Sequence, residues 1–248
     1  MRRTQKLIMM QTYDIPDGLI YNVPVMLALT IGSYLLGIYL KNKSGLSLLH
    51  PFLICIPTIV AILYFTGVPC SFYMEANGII EFMLGPSVVA LGLLLYDHME
   101  TIRKNALPIL ISVFTGSVVG VGSVYLLCRI FALDEIFVKS LEPKSVTTPI
   151  AMDLSASLGG NVSLTAVSVV LCGFIGAVAG PVFLRMFRIG NPVSRGLALG
   201  CSAHGLGTSR AIETGGVEGA VSGLAIALMG LMTAIVIPIF NLLFPLQQ

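Results

Sequence analysis

Apolar residues run along this chain in long blocks that short polar stretches separate. Val23 to Leu40 is the first block, 18 residues ended by Lys41 and Lys43, long enough at about 1.5 Å per helical residue to cross the hydrocarbon of a bilayer. Pro51 to Val68 is the second, with Pro57 inside it, and the loop Pro69 to Gly78 that follows holds Glu75 and no Lys or Arg. Ile79 to Tyr96 is the third; it carries Glu81 and a Gly85-Pro86-Ser87 break, and ends at the polar patch Asp97, His98, Glu100, Arg103 and Lys104. Ala106 to Leu127 is the fourth, with Gly116, Gly120 and Gly122 to let helices approach closely. Arg129 to Glu142 has mixed charge and apolar residues at near-helical spacing, which predicts a short helix lying in the interface. Asn161 to Leu184 and Gly219 to Phe244 are the fifth and sixth spans.

Between these blocks lie two stretches of another kind. Lys144 to Gly160 is broken by Pro149, rich in hydroxyls, and holds Asp153; Cys201 to Val217 holds His204, Gly205, Gly207 and Arg210. An ungapped offset of 57 residues superposes them and the spans that follow, pairing Ser145 with Ser202, Gly159 with Gly216, Leu171 with Leu228, Gly173 with Gly230, Pro181 with Pro238 and Phe183 with Phe240. Chance matching of Gly-rich apolar sequence is the alternative. Each unit, about 144–184 and 201–244, is one broken segment plus one span. An odd number of crossings inverts the second copy against the first, the architecture of secondary transporters with a midplane site.

Orientation bears on how the first segment enters the membrane. A re-entrant Lys144 to Gly160 leaves Arg185, Arg188 and Arg195 on the same face as Lys41, Lys43, Arg103 and Lys104, as the positive-inside bias prefers. A full crossing separates them. The expected fold is therefore an all-α polytopic membrane protein of about six full spans plus two re-entrant or broken helical segments in an inverted repeat. An interfacial arm, 1–22, precedes a single membrane domain over 23–248.

Composition agrees. The 248 residues are 56% hydrophobic and only 10% charged, with a mean hydropathy of +0.93; a soluble domain carries roughly 25% charged residues. A net charge of +2 from 14 Lys and Arg against 12 Asp and Glu leaves no basic tract for nucleic acid. Five scattered cysteines without CxxC spacing predict neither a metal site nor a disulfide frame, and nothing predicts a cofactor.

The chemistry to look for is anion binding. Pro149 suits a first helical position, so Thr147 or Thr148 is expected to cap the helix that starts there, and its free amides favour a carboxylate. Pro86 and Ser87 are candidates for a second such terminus. Gly205 and Gly207 let the other segment bend, while Ser145, His204, Thr208 and Arg210 supply donors. Arg210 is the candidate for a bidentate hold on a carboxylate, or else it pairs with Asp153, its counterpart in the repeat, as a coupling or structural charge. His204 is either a proton-linked group or a satisfied interior histidine. Glu81, Lys144 and Arg195 read as interfacial anchors. Ser145 and His204 lack the GxSxG or HExxH spacing of an enzyme, so no catalytic residue is expected.

Four stretches carry a family resemblance: LGPSVVALGLLLY at Leu84 to Tyr96, PKSVTTPIAM at Pro143 to Met152, GAVAGP at Gly176 to Pro181, and RGLALGCSAHGLGTSRAIE with the following EGA, from Arg195 to Ala220. From the first span to the C-terminus the sequence resembles the LrgB/CidB membrane proteins, described as antiholin-like or murein-hydrolase effectors and including plastidial glycolate/glycerate translocators. The resemblance implies a multi-pass protein of the bacterial inner membrane, a holin-like partner of the LrgA/CidA type, and movement of pyruvate or related acids. It carries over no site residues. Two functions are expected from this: a carrier of small monocarboxylates, and an antiholin-like regulator of murein hydrolase export. A homo-oligomer is expected with either.

Overall fold

The computed structural model describes residues 22–44 and 51–244, and the arm expected over 1–22 lies outside them but for Asn22. The described residues are helical wherever they are regular. They form two compact units that divide between Ser87 and Val88. Five helical stretches are long and apolar enough to cross a membrane: Val23–Ser44, Gly78–Asp97, Ala106–Ile130, Val162–Met186 and Gly216–Leu243. Pro51–Thr66, also expected as a span, has 16 residues.

In the first unit, α1 (Val23–Ser44) packs on α2 (Pro51–Thr66) and on the short α3 (Cys70–Ala76). Its small core is Met26, Val68 and Ala76. Thr30 ties it together, its hydroxyl lying 2.8 Å from both Tyr73 Oη and Asn77 Oδ1. Phe65 on α2 is 84% exposed, a surface that only lipid or another protein makes favourable. The third block becomes α4 (Gly78–Phe82) and α5 (Leu84–Asp97), which the division between the units crosses, and here an expectation is corrected. Gly85-Pro86-Ser87 is not a break: Met83 keeps near-helical angles (φ −64, ψ −12), and Ser87 donates its amide to the Met83 carbonyl at 3.1 Å. Pro86 sits in the first turn of α5, where its missing amide costs no hydrogen bond.

In the second unit, α6 (Met99–Lys104) leads into α7 (Ala106–Ile130). The interfacial helix expected over Arg129 to Glu142 is the shorter α8 (Glu135–Leu141), followed by a 3₁₀ turn, Glu142–Ser145. Then come α9 (Thr148–Leu158), α10 (Val162–Met186), α11 (Pro192–Thr214) and α12 (Gly216–Leu243). Lipid tails are as apolar as any side chain, so close van der Waals approach and buried hydrogen bonds must hold these helices together. Gly196 and Gly200, one turn apart on α11, supply that approach. A Cβ on Gly196 would stand 2.5 Å from the Glu218 carbonyl oxygen, and one on Gly200 would stand 2.5 Å from that of Ser222. Ser117 and Thr233 join α7 to α12 by a buried hydrogen bond of 3.0 Å.

A polar knot fixes the turn from α9 to α10. Gly159 takes the left-handed conformation (φ 80, ψ 25) that ends a helix without a Cβ penalty. The fully buried Thr165 hydroxyl lies 2.9 Å from the Ser140 carbonyl oxygen and 2.7 Å from Ser155 Oγ. Asn161 caps α10, accepting from the Leu164 amide at 3.0 Å, and donates its own amide to Ser140 Oγ at 2.7 Å. An 11-residue helix is about 16 Å long, half a bilayer.

Gly200→Ala should therefore destabilise the protein by about 1–3 kcal/mol, read as a lower thermal midpoint in detergent. Gly92→Ala, in a helix where a Cβ would meet nothing within 4 Å, should not lower that midpoint.

Candidate functional site

The two stretches singled out in the sequence are both interrupted helices, and the interruptions fall at equivalent places. In the first, Val146 and Thr147 are extended (Thr147 φ −64, ψ 149) between the 3₁₀ turn and α9. In the second, α11 is two helical halves, 192–203 and 205–214, joined at His204, whose backbone (φ 37, ψ −121) is not helical. Thr147 and His204 are 57 residues apart, the spacing of the repeat. Pro181 and Pro238, inside α10 and α12, keep the same spacing.

Two details differ from expectation. Thr147 occupies the N-cap position and Pro149 the first turn, as expected, but the Thr147 hydroxyl makes no capping bond, so the first amides of α9 have no side-chain acceptor there. The bend in α11 is at His204, while Gly205 and Gly207 lie in helix. The smallness of Gly207 serves packing across the kink: a Cβ there would stand 2.8 Å from that of Ala203.

His204 is buried, with Nε2 3.1 Å from the Val169 carbonyl oxygen of α10. Gly173, on the next turn of α10, makes room for the ring, since a Cβ would come within 2.5 Å of its Cε1. The imidazole is thus a packed, hydrogen-bonded interior group that clamps the kink.

The remaining candidates divide by what they touch. Thr208 is buried and hydrogen-bonded to Ser222 at 2.8 Å. Arg210 is ion-paired with Glu213 on its own helix, and Asp153 is exposed on α9, so the Asp153–Arg210 pair is not formed. Ser145, Thr147 and Thr148 are half-buried, and Pro149 and Gly205 are exposed. Pro86 and Ser87 are exposed in the first unit, with the Ser87 hydroxyl donating to the Met83 carbonyl at 2.8 Å. Arg195 reaches the nearly buried Glu218 at 3.6 Å, so it bridges α11 to α12 instead of anchoring in the interface.

Lys144 is the residue whose role the structure changes most. It is half-buried and does not reach outward as an anchor would. Its ammonium donates at 3.4 Å to the Gly120 carbonyl of α7 and to Ser145 Oγ, and lies within electrostatic reach of Cys172 on α10. Cys172 in turn donates to the Ser202 carbonyl, two residues before the kink, at 3.5 Å. Among the described residues Lys144 has no carboxylate partner, although Lys104, Lys139, Arg195 and Arg210 all have one. The signal in the sequence was its position, at the start of the broken segment and flanked by Pro143 and Ser145.

Comparison with known proteins fits this architecture. A family model described as the LrgB-like family matches residues 30–243. The chain belongs to the LrgB-like family. It is 38% identical over 188 residues to "Uncharacterized protein YwbG" of Bacillus subtilis (strain 168), covering 76% of this chain and 84% of that protein. It is 36% identical over 213 residues to "Antiholin-like protein LrgB" of the same strain, covering 86% and 90%. The protein of that name from Bacillus mycoides (strain KBAB4) is 32% identical over 200 residues, covering 81% and 87%. No solved structure matches the chain.

A non-glycine residue held at positive φ is strained by about 1–3 kcal/mol. His204→Gly removes the strain along with the ring bond, whereas His204→Ala removes only the bond. In thermal unfolding His204→Gly should be the more stable of the two by about 1 kcal/mol, and the opposite order would show that the kink is not where the structure puts it.

Proposed function

We propose that this LrgB-like protein acts in the bacterial inner membrane as an antiholin-like protein, together with a small holin-like membrane subunit. The names of two relatives support that reading. A second reading is favoured by one observation, the half-buried Lys144 ammonium that has no counter-ion among the described residues and lies beside two interrupted helices. On this reading the protein carries small monocarboxylates such as pyruvate, glycolate or lactate.

The physical case for the carrier is charge balance. An ammonium withdrawn from water and left without a carboxylate is unfavourable, and a small carboxylate supplies the missing charge. The uncapped amides at the start of α9 add donors and a positive helix end. Ser145, Thr147 and Thr148, half-buried in the same segment, offer hydroxyls. Arg210, ion-paired with Glu213, is not needed for the hold. The two readings are compatible, since moving a metabolic acid changes the conditions under which lysis begins.

Uptake of radiolabelled pyruvate and glycolate into proteoliposomes tests the carrier. Lys144→Gln should lower uptake at least tenfold, a loss of about 1.4 kcal/mol or more, while Arg210→Ala should stay within about twofold, as an exposed ion pair contributes little. If neither acid moves, with or without a holin-like partner, the carrier reading fails and the antiholin-like one stands alone. That one is tested by autolysis of cells expressing the chain: Lys144→Gln should then protect as the parent does.

A further inference from the structure

Two residues before Lys144, the carboxyl of Glu142 is 1% exposed, enclosed by α7, α8 and α12. One oxygen, Oε2, accepts from Asn241 Nδ2 of α12 at 3.1 Å. Among the described residues the other, Oε1, has no partner, and neither does Asn241 Oδ1, though both atoms are fully buried. Two orphaned oxygens on hydrogen-bonded partners is an arrangement that buried polar groups avoid. Both atoms are acceptors, so neither can satisfy the other while Glu142 is ionised.

One proton resolves this. Placed on Oε1, it makes the carboxyl a donor that can turn to Asn241 Oδ1, closing a cyclic acid–amide pair with two antiparallel hydrogen bonds. We propose that the Glu142–Asn241 pair is a proton-binding site, in which a proton taken from water onto Glu142 fastens the turn Glu142–Ser145 to α12, and its return to water frees that turn. A metal cation fits less well. Three oxygens are fewer than a hard cation needs, and the Asn241 amide nitrogen already occupies the approach to Oε2.

The charged and titratable neighbours leave the proton in place. Lys139 on α8 acts on Glu142 but is ion-paired to Glu135 at 2.6 Å. On α7, Cys128 lies within electrostatic reach and Arg129 is stacked over the Tyr125 ring. Lys144, in the same turn, is hydrogen-bonded to Gly120 and Ser145. The other helices packed on the turn carry Asp153 on α9, Cys172 on α10, and Cys201 and His204 on α11. Burial pushes the Glu142 carboxyl from its ordinary 4.5 up to about 7, against smaller opposing effects of Asn241 and Lys139. The turn also carries Lys144 and Ser145, so proton occupancy would set where those donors stand. The site stands whether or not a carboxylate is carried.

Because the folded chain holds this proton more tightly than the unfolded one, the stability it contributes is complete below about pH 4.5 and is lost as pH rises through about 7. The experiment compares the full-length protein in detergent with Glu142→Gln, whose amide forms the same cyclic pair with Asn241 without a proton. Thermal midpoints are followed from about pH 5 to about pH 8, and infrared spectra record the protonated carboxyl band. The parent should lose several degrees and its band over this range; Glu142→Gln should lack that band and keep its midpoint. Equal pH slopes for the two proteins, or an unchanged band in Glu142→Gln, would overturn the proposal. So would loss of the band on adding sodium at constant pH, which would mark a cation site. Should Glu142→Gln fail to fold, Asn241→Leu decides: it should move the band's midpoint by at least half a pH unit, and an unmoved midpoint contradicts the pairing.

Discussion

Away from water, every peptide group must find its hydrogen bond inside the protein, and this constraint governs the second unit of the chain. A continuous helix meets it without help. The chain gives up that solution at Thr147 and at His204, and the surrounding structure consists largely of what those interruptions require. Thr165, Ser140, Ser155 and Asn161 form one knot of hydrogen bonds where the short helix that follows the first turns into α10. Around the second, the His204 ring bonds to Val169, and Gly173 and Gly207 yield the space. Such interruptions carry a cost, so their recurrence 57 residues apart points to a use.

What the interruptions gather is polar chemistry in an apolar body. The turn Glu142–Ser145 packs against every helix of the unit from α7 to α12. Among the described residues it holds a cation without a counter-ion in Lys144 and, two residues earlier, a buried carboxyl without a full set of partners in Glu142. A small acid would complete the first and a proton the second, so the turn is where ligand chemistry and helix packing meet.

Most of the architecture was legible because lipid imposes simple rules: long apolar blocks, glycine where helices touch, cations at the ends. Val23–Ser44 and Ala106–Ile130 follow directly from their sequences. The broken segments were visible through Pro149 and the repeat, but the position of the second break was not, since His204 bends where the neighbouring glycines invited the bend. Side-chain partners were the least legible. Arg210 looked like the anion's residue until Glu213, three positions on, took its charge. Lys144 looked like an anchor because a lysine at the edge of an apolar block usually is one. Its inward path depends on the Gly120 carbonyl, 24 residues away on another helix, and no local pattern encodes that contact.

The most direct measurement is a high-resolution density map of the full-length protein in lipid nanodiscs with pyruvate present. The account predicts helix breaks at Thr147 and His204, the Lys144 ammonium turned inward beside the Gly120 carbonyl, and density for a small anion against it. Lys144 extended to the lipid headgroups, or neutralised by a carboxylate of this chain, would contradict it.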